Sequence, residues 1–147
     1  MPATIQTPVD RHLHVMGTEV EVLLSAEQTR GACSMTRIAV PGNWAVVPHL
    51  HLYEDEIFHV LTGEIDVTVA GVTTRVPAGH SAFAPRLQPH QFRTPTAAPA
   101  NILVTTTPGG IEHFFAACDR AFPRNTEPDL ALAADLIERF GMRIAAD

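Results

Sequence analysis

The sequence contains no lysine, and its ten basic residues, all arginine, are outnumbered by 16 acidic ones for a formal net charge of −6. An acidic surface repels polyanions, so we expect neither nucleic acid nor an anionic membrane as a partner. The two cysteines, Cys33 and Cys118, are too far apart for a CxxC motif. We therefore expect them to be reduced packing residues in a cytoplasmic protein.

Long apolar runs are also missing. No stretch approaches the roughly 20 residues that a membrane-spanning helix needs. The N-terminal stretch lacks the charged segment followed by an apolar segment that is typical of a signal peptide. At 147 residues the chain has the length of one domain.

Three stretches differ in pattern. Residues 1–17 are predicted to form an N-terminal arm, with Pro2 and Pro8 limiting regular structure. Residues 18–107 alternate short apolar runs with Pro, Gly and Asn turns, which predicts many antiparallel strands in a sandwich or barrel. The predicted strands cover residues 18–25, 34–40, 56–62, 64–70, 72–76 and 101–107.

Residues 108–147 change period and are predicted to form a helical tail. Helices are predicted over 111–122 and 129–141, and in the second an apolar stripe runs along one face. Thr126 is the predicted N-terminal cap of that helix, and Gly141 suits its end. The stripe is predicted to pack on the sheets; it consists of Leu130, Ala133, Leu136, Ile137 and Phe140.

The stretch HLHLYEDEIFHVLTG at residues 49–63 concentrates residues that can bind metals. His49 and His51 lie two apart, so in a strand both imidazoles point to the same face and can converge on one ion. Glu56 and Glu54 both follow closely; we favour Glu56, because it shares its parity with Phe58 and Val60. His90, after a Pro-rich turn, is a fourth candidate.

These residues resemble the cupin family. Gly42, His49, His51, Glu56 and Gly63 match the spacing of the first cupin motif. The second motif is matched more loosely, by Gly71, Pro77, Gly79 and His90. The resemblance implies an all-β fold, a jelly-roll type cupin β-barrel of two antiparallel sheets over residues 18–107. Whether the helical tail covers the mouth of this barrel or lies against its outside stays open. It also implies that His49, His51, Glu56 and His90 bind one divalent transition metal ion per chain, with Fe, Ni, Mn, Cu and Zn all compatible.

The same alternation of side chains along the strands predicts a largely apolar pocket lined by Val47, Phe58, Val60 and Phe92, to which Trp44, Phe83 and Ile102 add. Such a pocket favours a flat or aromatic small molecule. The arginines are scattered along the chain, which argues against a sugar-phosphate substrate.

We expect an enzyme, although the resemblance leaves three functions open. The first, which we favour, is a quercetinase-like dioxygenase, in which Glu56 is both ligand and catalytic proton acceptor. The second is a non-redox polyketide cyclase or isomerase that uses Zn as a Lewis acid. The third is a metal-dependent binding module without turnover. We also expect a homodimer, because the exposed edge of such a sheet needs cover and the N-terminal arm can supply it.

Overall fold

The computed structural model describes residues 12–145. Eleven strands and two helices follow one another along these residues. The strands are β1 His12–Val15, β2 Thr18–Leu24, β3 Ser34–Val40, β4 His49–His51, β5 Asp55–Thr62, β6 Glu64–Val69, β7 Val72–Pro77, β8 Ser81–Ala84, β9 His90–Arg93, β10 Ala100–Thr107 and β11 Met142–Ile144. The helices, α1 Ile111–Ala121 and α2 Leu130–Arg139, lie between β10 and β11.

The strands form two antiparallel sheets. One has the order β1-β2-β3-β10-β5-β8 and the other the order β11-β4-β9-β6-β7. The chain crosses repeatedly from one sheet to the other, and the two sheets face each other as a jelly-roll sandwich. The predicted fold class is confirmed: all-β, with two antiparallel sheets and a helical tail.

Side-chain alternation explains where the core lies. In β10 every second residue is buried, starting from Ala100. Strand β3 alternates in the same way, and the two strands pair so that Ile102 lies opposite Ile38. Both side chains are inside the sandwich, where they meet Phe58 and Val60 from β5. The period-two pattern in the sequence is therefore the pattern of burial.

Two glycines of the predicted first motif are required by close backbone packing. A Cβ on Gly42 would overlap the backbone of Ala97, and one on Gly63 would overlap the carbonyl of Pro99. Gly63 also has a φ of 76°, in the left-handed region that favours glycine. Both glycines thus let the loop before β10 lie against the turns that flank the histidine-bearing segment.

The first and last predicted stretches contain strands that the sequence pattern does not indicate. Residues 1–11 of the predicted arm lie outside the described residues, whereas His12–Val15 form β1 and pair with β2. Within the predicted tail, Met142–Ile144 form β11 and pair with β4. Neither helix that the structure describes has the length and apolar character needed to span a bilayer.

The second helix differs from its prediction at its start. Asp129, not Thr126, is the N-terminal cap, and its carboxylate accepts hydrogen bonds from the backbone N–H groups of Ala131 and Leu132. Thr126 instead donates its hydroxyl to the carbonyl of Pro123. Ala133 and Leu136 of the predicted stripe are buried, but Leu130 is 78% exposed because the helix begins there, beyond the edge of the core.

Candidate metal centre and its cavity

Three strands from both sheets bring four metal-binding side chains together. His49 and His51 project from β4, and His90 projects from the adjacent β9, where it pairs with His49. Glu56 comes from β5 in the opposite sheet. Each residue offers one ligand atom, and these atoms all lie within 4.8 Å of one another. The four predicted ligands therefore lie in one cluster between the sheets.

The outer nitrogen of two of the imidazoles is bonded to the backbone. Nδ1 of His49 lies 2.8 Å from the carbonyl oxygen of Val47, and Nδ1 of His90 lies 3.0 Å from that of Gln88. A carbonyl only accepts, so Nδ1 carries the proton in both rings and Nε2 has a free lone pair when the ring is neutral. These backbone contacts fix the tautomer and aim Nε2 into the cluster.

The third imidazole is oriented by a side chain. Nδ1 of His51 lies 3.3 Å from Oε2 of Glu54, while its Nε2 lies 3.2 Å from Oε2 of Glu56. Glu54 therefore contacts the outer nitrogen of a ligand, and Glu56 faces the inner one. The geometry places Glu56 within the cluster and Glu54 behind it. In many metal sites a second carboxylate supports a histidine ligand from behind in this way.

Burial and mutual contact shift the titration of these groups. Burial lowers the pKa of His49 to about 4. Burial also acts to lower the pKa of His51, but the nearby carboxylates of Glu54 and Glu56 outweigh it and raise that pKa to about 9. Burial acts to raise the pKa of Glu56, yet His51 and His90 outweigh it and hold that pKa well below its usual range. The cluster thus favours the ionised form of the Glu56 carboxyl group, and this buried negative charge needs a positive charge beside it.

The donor set fits a divalent transition metal. Nε2 of His51 is buried and has no hydrogen-bond partner among residues 12–145; its approach to Glu56 lacks hydrogen-bond geometry. An unpaired buried nitrogen is costly unless a cation meets its lone pair. Three neutral imidazoles and one carboxylate provide that lone-pair arrangement and suit Fe, Ni, Mn, Cu or Zn.

A largely apolar cavity of about 190 Å³ opens beside the cluster. His49, His51 and Glu56 form one end of it. Of the residues predicted to line a pocket, Val47, Phe58 and Phe92 do so, together with Trp44.

Three other residues predicted to line the pocket lie elsewhere. Val60 has the same parity as Phe58, but it lies further along β5 and is fully buried in the core, as is Ile102. Phe83 lies on the edge strand β8 and is 56% exposed. None of the three is among the described residues that line the cavity.

The helical tail supplies a wall of this cavity, which sequence patterns did not indicate. Ile111, Phe114 and Phe115 reach it from α1, Ile137 from α2 and Met142 from β11. The adjacent pair Phe114 and Phe115 was the available signal, because two neighbouring aromatic residues widen the apolar face of a helix. The tail therefore supplies part of the cavity wall.

The remaining histidines of the predicted sheet region lie outside the cluster. His59 bonds to the hydroxyl of Ser81 at 2.7 Å, in agreement with its opposite parity to Glu56. His80 lies 3.2 Å from the carbonyl oxygen of Ala78 in the turn before β8. Neither belongs to the four-residue group.

Known proteins resemble this chain in sequence and in fold. The family model of the Cupin domain matches residues 36–106. TT1209 from Thermus thermophilus is 32% identical, with 53% of this chain and 74% of that chain covered and a TM-score of 0.51. The polyketide cyclase RemF from Streptomyces resistomycificus is 26% identical, with 70% and 80% covered and a TM-score of 0.58.

A third structure shows the fold alone. An RmlC-like cupin from Shewanella frigidimarina is 19% identical, with 76% of this chain and 96% of that chain covered and a TM-score of 0.62. A comparison with curated proteins finds no match.

Proposed function

Because the chain belongs to the cupin superfamily, we propose that it is a metal-dependent enzyme acting on a small enolic or aromatic compound. One observation carries the proposal: three of the four residues of the cluster, His49, His51 and Glu56, also line an apolar cavity. A metal that takes more than four ligands would keep a coordination position open beside the cluster, and a molecule in the cavity would lie next to it.

The chain's own residues hold, orient and shield the reacting group. A metal in the cluster supplies a Lewis acid for a carbonyl or enolate oxygen or, if it is redox-active, a means of activating dioxygen. His49, His51 and His90 are aimed by their outer hydrogen bonds. The apolar walls exclude water from the substrate, which strengthens every electrostatic interaction at the polar end.

Glu56 is better supported as a ligand than as a proton acceptor. Its pKa is lowered by His51 and His90, and a weaker base takes a substrate proton less readily than an ordinary carboxylate. We therefore assign Glu56 to metal binding rather than to proton transfer.

For the reaction itself, we propose non-redox cyclase or isomerase chemistry, favoured by the likeness to the polyketide cyclase RemF. A dioxygenase acting on the same compounds is the second candidate, favoured by the donor set, which suits the redox-active metals Fe, Ni, Mn and Cu as well as Zn. The two reactions share the site and differ in their need for oxygen.

Metal content and oxygen dependence test the proposal. We expect about one divalent metal ion per chain by mass spectrometry, and its loss in the double variant His49→Ala/His51→Ala with the circular dichroism of the sheets unchanged. His59→Ala is the matched control, because that histidine lies outside the cluster. Conversion of an aromatic enol by the zinc-loaded protein under nitrogen supports the cyclase or isomerase. Oxygen uptake with an iron- or nickel-loaded protein supports the dioxygenase, and ligand binding without turnover contradicts both.

A further inference from the structure

The size of the cavity limits what the site can enclose. Its volume is about 190 Å³. An apolar protein cavity of about 150 Å³ binds benzene, whereas pockets for drug-sized ligands occupy about 300–1,000 Å³. A single aromatic ring with small substituents fills this volume, whereas a three-ring flavonol would extend out of it.

The shape of the walls suits a planar ring. Phe92 packs between Trp44 and Phe58, with ring centroids 5.4 Å from each. Phe114 and Phe115 line the same cavity from α1. Aromatic rings prefer offset and edge-to-face contacts with one another, so these walls favour an aromatic guest over an aliphatic one.

The polar groups of the cavity are confined to one end. Two of the lining residues with hydrogen-bonding groups are already paired: Thr18 donates its hydroxyl to the carbonyl of Val15, and Trp44 donates its indole N–H to the carbonyl of Met16. No arginine is among the described lining residues. The metal-binding end is left to receive oxygen atoms, and a charge at the far end would be buried without a partner.

We infer that the substrate is a compound with a single aromatic ring, whose oxygen substituents lie on one edge and whose opposite edge is apolar and uncharged. This inference rests on the proposed function for the role of the metal, but its size and polarity requirements come from the cavity. It also assigns specificity to α1 and α2, since Phe115 and Ile137 line the cavity.

Calorimetric titration of the zinc-loaded protein tests each requirement with a matched probe. Catechol has one ring and oxygens on one edge, and we expect it to bind. 2,3-Dihydroxynaphthalene keeps that edge and adds a ring, whereas 3,4-dihydroxybenzoate keeps the ring and adds a charge opposite the oxygens. We expect each to bind at least about tenfold more weakly than catechol, because the first exceeds the cavity and the second buries an unpaired carboxylate. Equal affinity of either probe and catechol overturns the inference.

Two variants test whether the helices set the size limit. Phe115→Ala enlarges the cavity, and we expect it to raise the affinity for 2,3-dihydroxynaphthalene relative to catechol by about tenfold. Ile137→Ala should act in the same direction, which covers the case in which Phe115→Ala does not fold. Leu132→Ala is the control, because Leu132 packs on the core from α2 without lining the cavity. An unchanged ratio in both enlarged variants, or the same change in the control, contradicts the assignment.

Failure of the proposed function gives a different result. If the protein takes up none of Fe, Ni, Mn, Cu and Zn, metal-dependent chemistry at the cluster is excluded, yet the ring-size requirement can still be measured. Toluene and 2-methylnaphthalene need no metal, and the metal-free protein should still prefer toluene. A preference for the larger hydrocarbon overturns the size inference independently of the metal.

Discussion

The carboxylates of Glu56 and Asp66 are both almost completely buried, and they differ in what surrounds them. Glu56 is 6% exposed and Asp66 is 4% exposed. Asp66 in β6 is bonded by the guanidinium groups of Arg75 and Arg93, which are permanently charged and half-exposed to water. Glu56 instead meets the imidazoles of His51 and His90, whose charge depends on pH. One carboxylate is fully neutralised by its neighbours, and the other is not.

Comparing the two carboxylates shows which observation identifies a metal site. Both carboxyl groups have a lowered pKa, Asp66 through Arg75 and Arg93 and Glu56 through His51 and His90. Neither burial nor the pKa direction therefore distinguishes them. What distinguishes Glu56 is that its partners are candidate ligands whose ring nitrogens converge, and one of these nitrogens has no hydrogen-bond partner among residues 12–145. We expect Glu56 to serve metal binding and Asp66 to serve stability, and four experiments test that division.

The largest expected effect is on metal affinity. Glu56→Gln removes the one anionic ligand and should weaken zinc binding by at least about 100-fold, because three neutral imidazoles do not offset the charge of the ion. Competition with a chromogenic chelator measures this. Asp66→Asn is the control and should bind zinc as the parent does. Undiminished zinc affinity in Glu56→Gln would remove the distinction between the two carboxylates.

A smaller loss of zinc affinity is expected when Glu54, which lies behind the cluster, is replaced. Glu54→Ala leaves His51 without its outer partner, and loss of such supporting contacts weakens metal binding by about 10- to 100-fold. Glu54→Gln keeps an acceptor oxygen for Nδ1 and should recover part of that loss. The same chelator competition checks both variants. If Glu54→Ala proves weaker in zinc binding than Glu56→Gln, the roles of the two glutamates are reversed.

Asp66 should affect folding alone. Asp66→Asn should lower the free energy of unfolding by about 1 kcal/mol, because charged hydrogen bonds are lost but the two arginines remain solvated. Urea denaturation of the metal-free protein measures this. Glu64→Gln is the matched control, since Glu64 contacts Arg75 from a more exposed position and should cost less. A change in zinc affinity without a change in stability would show that Asp66 belongs to the metal centre after all.

The smallest expected effect is the release of protons when zinc binds. Because the pKa of His51 is raised to about 9 from 6.5, the charged ring stabilises the metal-free fold fully below 6.5, and this contribution is lost as the pH rises through 9. At pH 7.5 His51 therefore holds a proton that zinc must displace, whereas His49, with a pKa of about 4, holds none. We expect His51 to release about one proton per zinc bound, so zinc affinity rises with pH up to about 9. Titration calorimetry in buffers of different protonation enthalpy gives the count, and zinc binding without proton release would contradict the assigned state of His51.

The sequence predicts most of the sheet and the ligand cluster, because both depend on local spacing. Alternation over six to eight residues located the long strands β2, β3, β5, β6, β7 and β10 within a residue or so at either end. The spacing of His49, His51 and Glu56 placed three side chains on facing strands. The homodimer and the choice of metal stay predictions.

The rest depends on contacts between distant segments. Strands β1 and β11 have four and three residues, too few for a period to be visible, and they exist because β2 and β4 offer them an edge. Alternation along a strand predicts which face a side chain is on but not where the cavity ends, so the sequence predicts Val60 beside Phe58 although only Phe58 lines the cavity. The helical wall depends on how α1 and α2 dock, which their apolar stripes alone do not specify.

The pairing of β4 with β11 also bears on when the metal can bind relative to synthesis and folding. Strand β4 carries His49 and His51 but has only three residues, and its outer edge is bonded to Met142–Ile144. Leu52 and Ala145 add backbone hydrogen bonds on either side of this pairing. On a ribosome the two histidines emerge long before their neighbouring strand is made, and closing so long a loop is slow. We therefore expect metal to be loaded after synthesis, into a chain that has already folded.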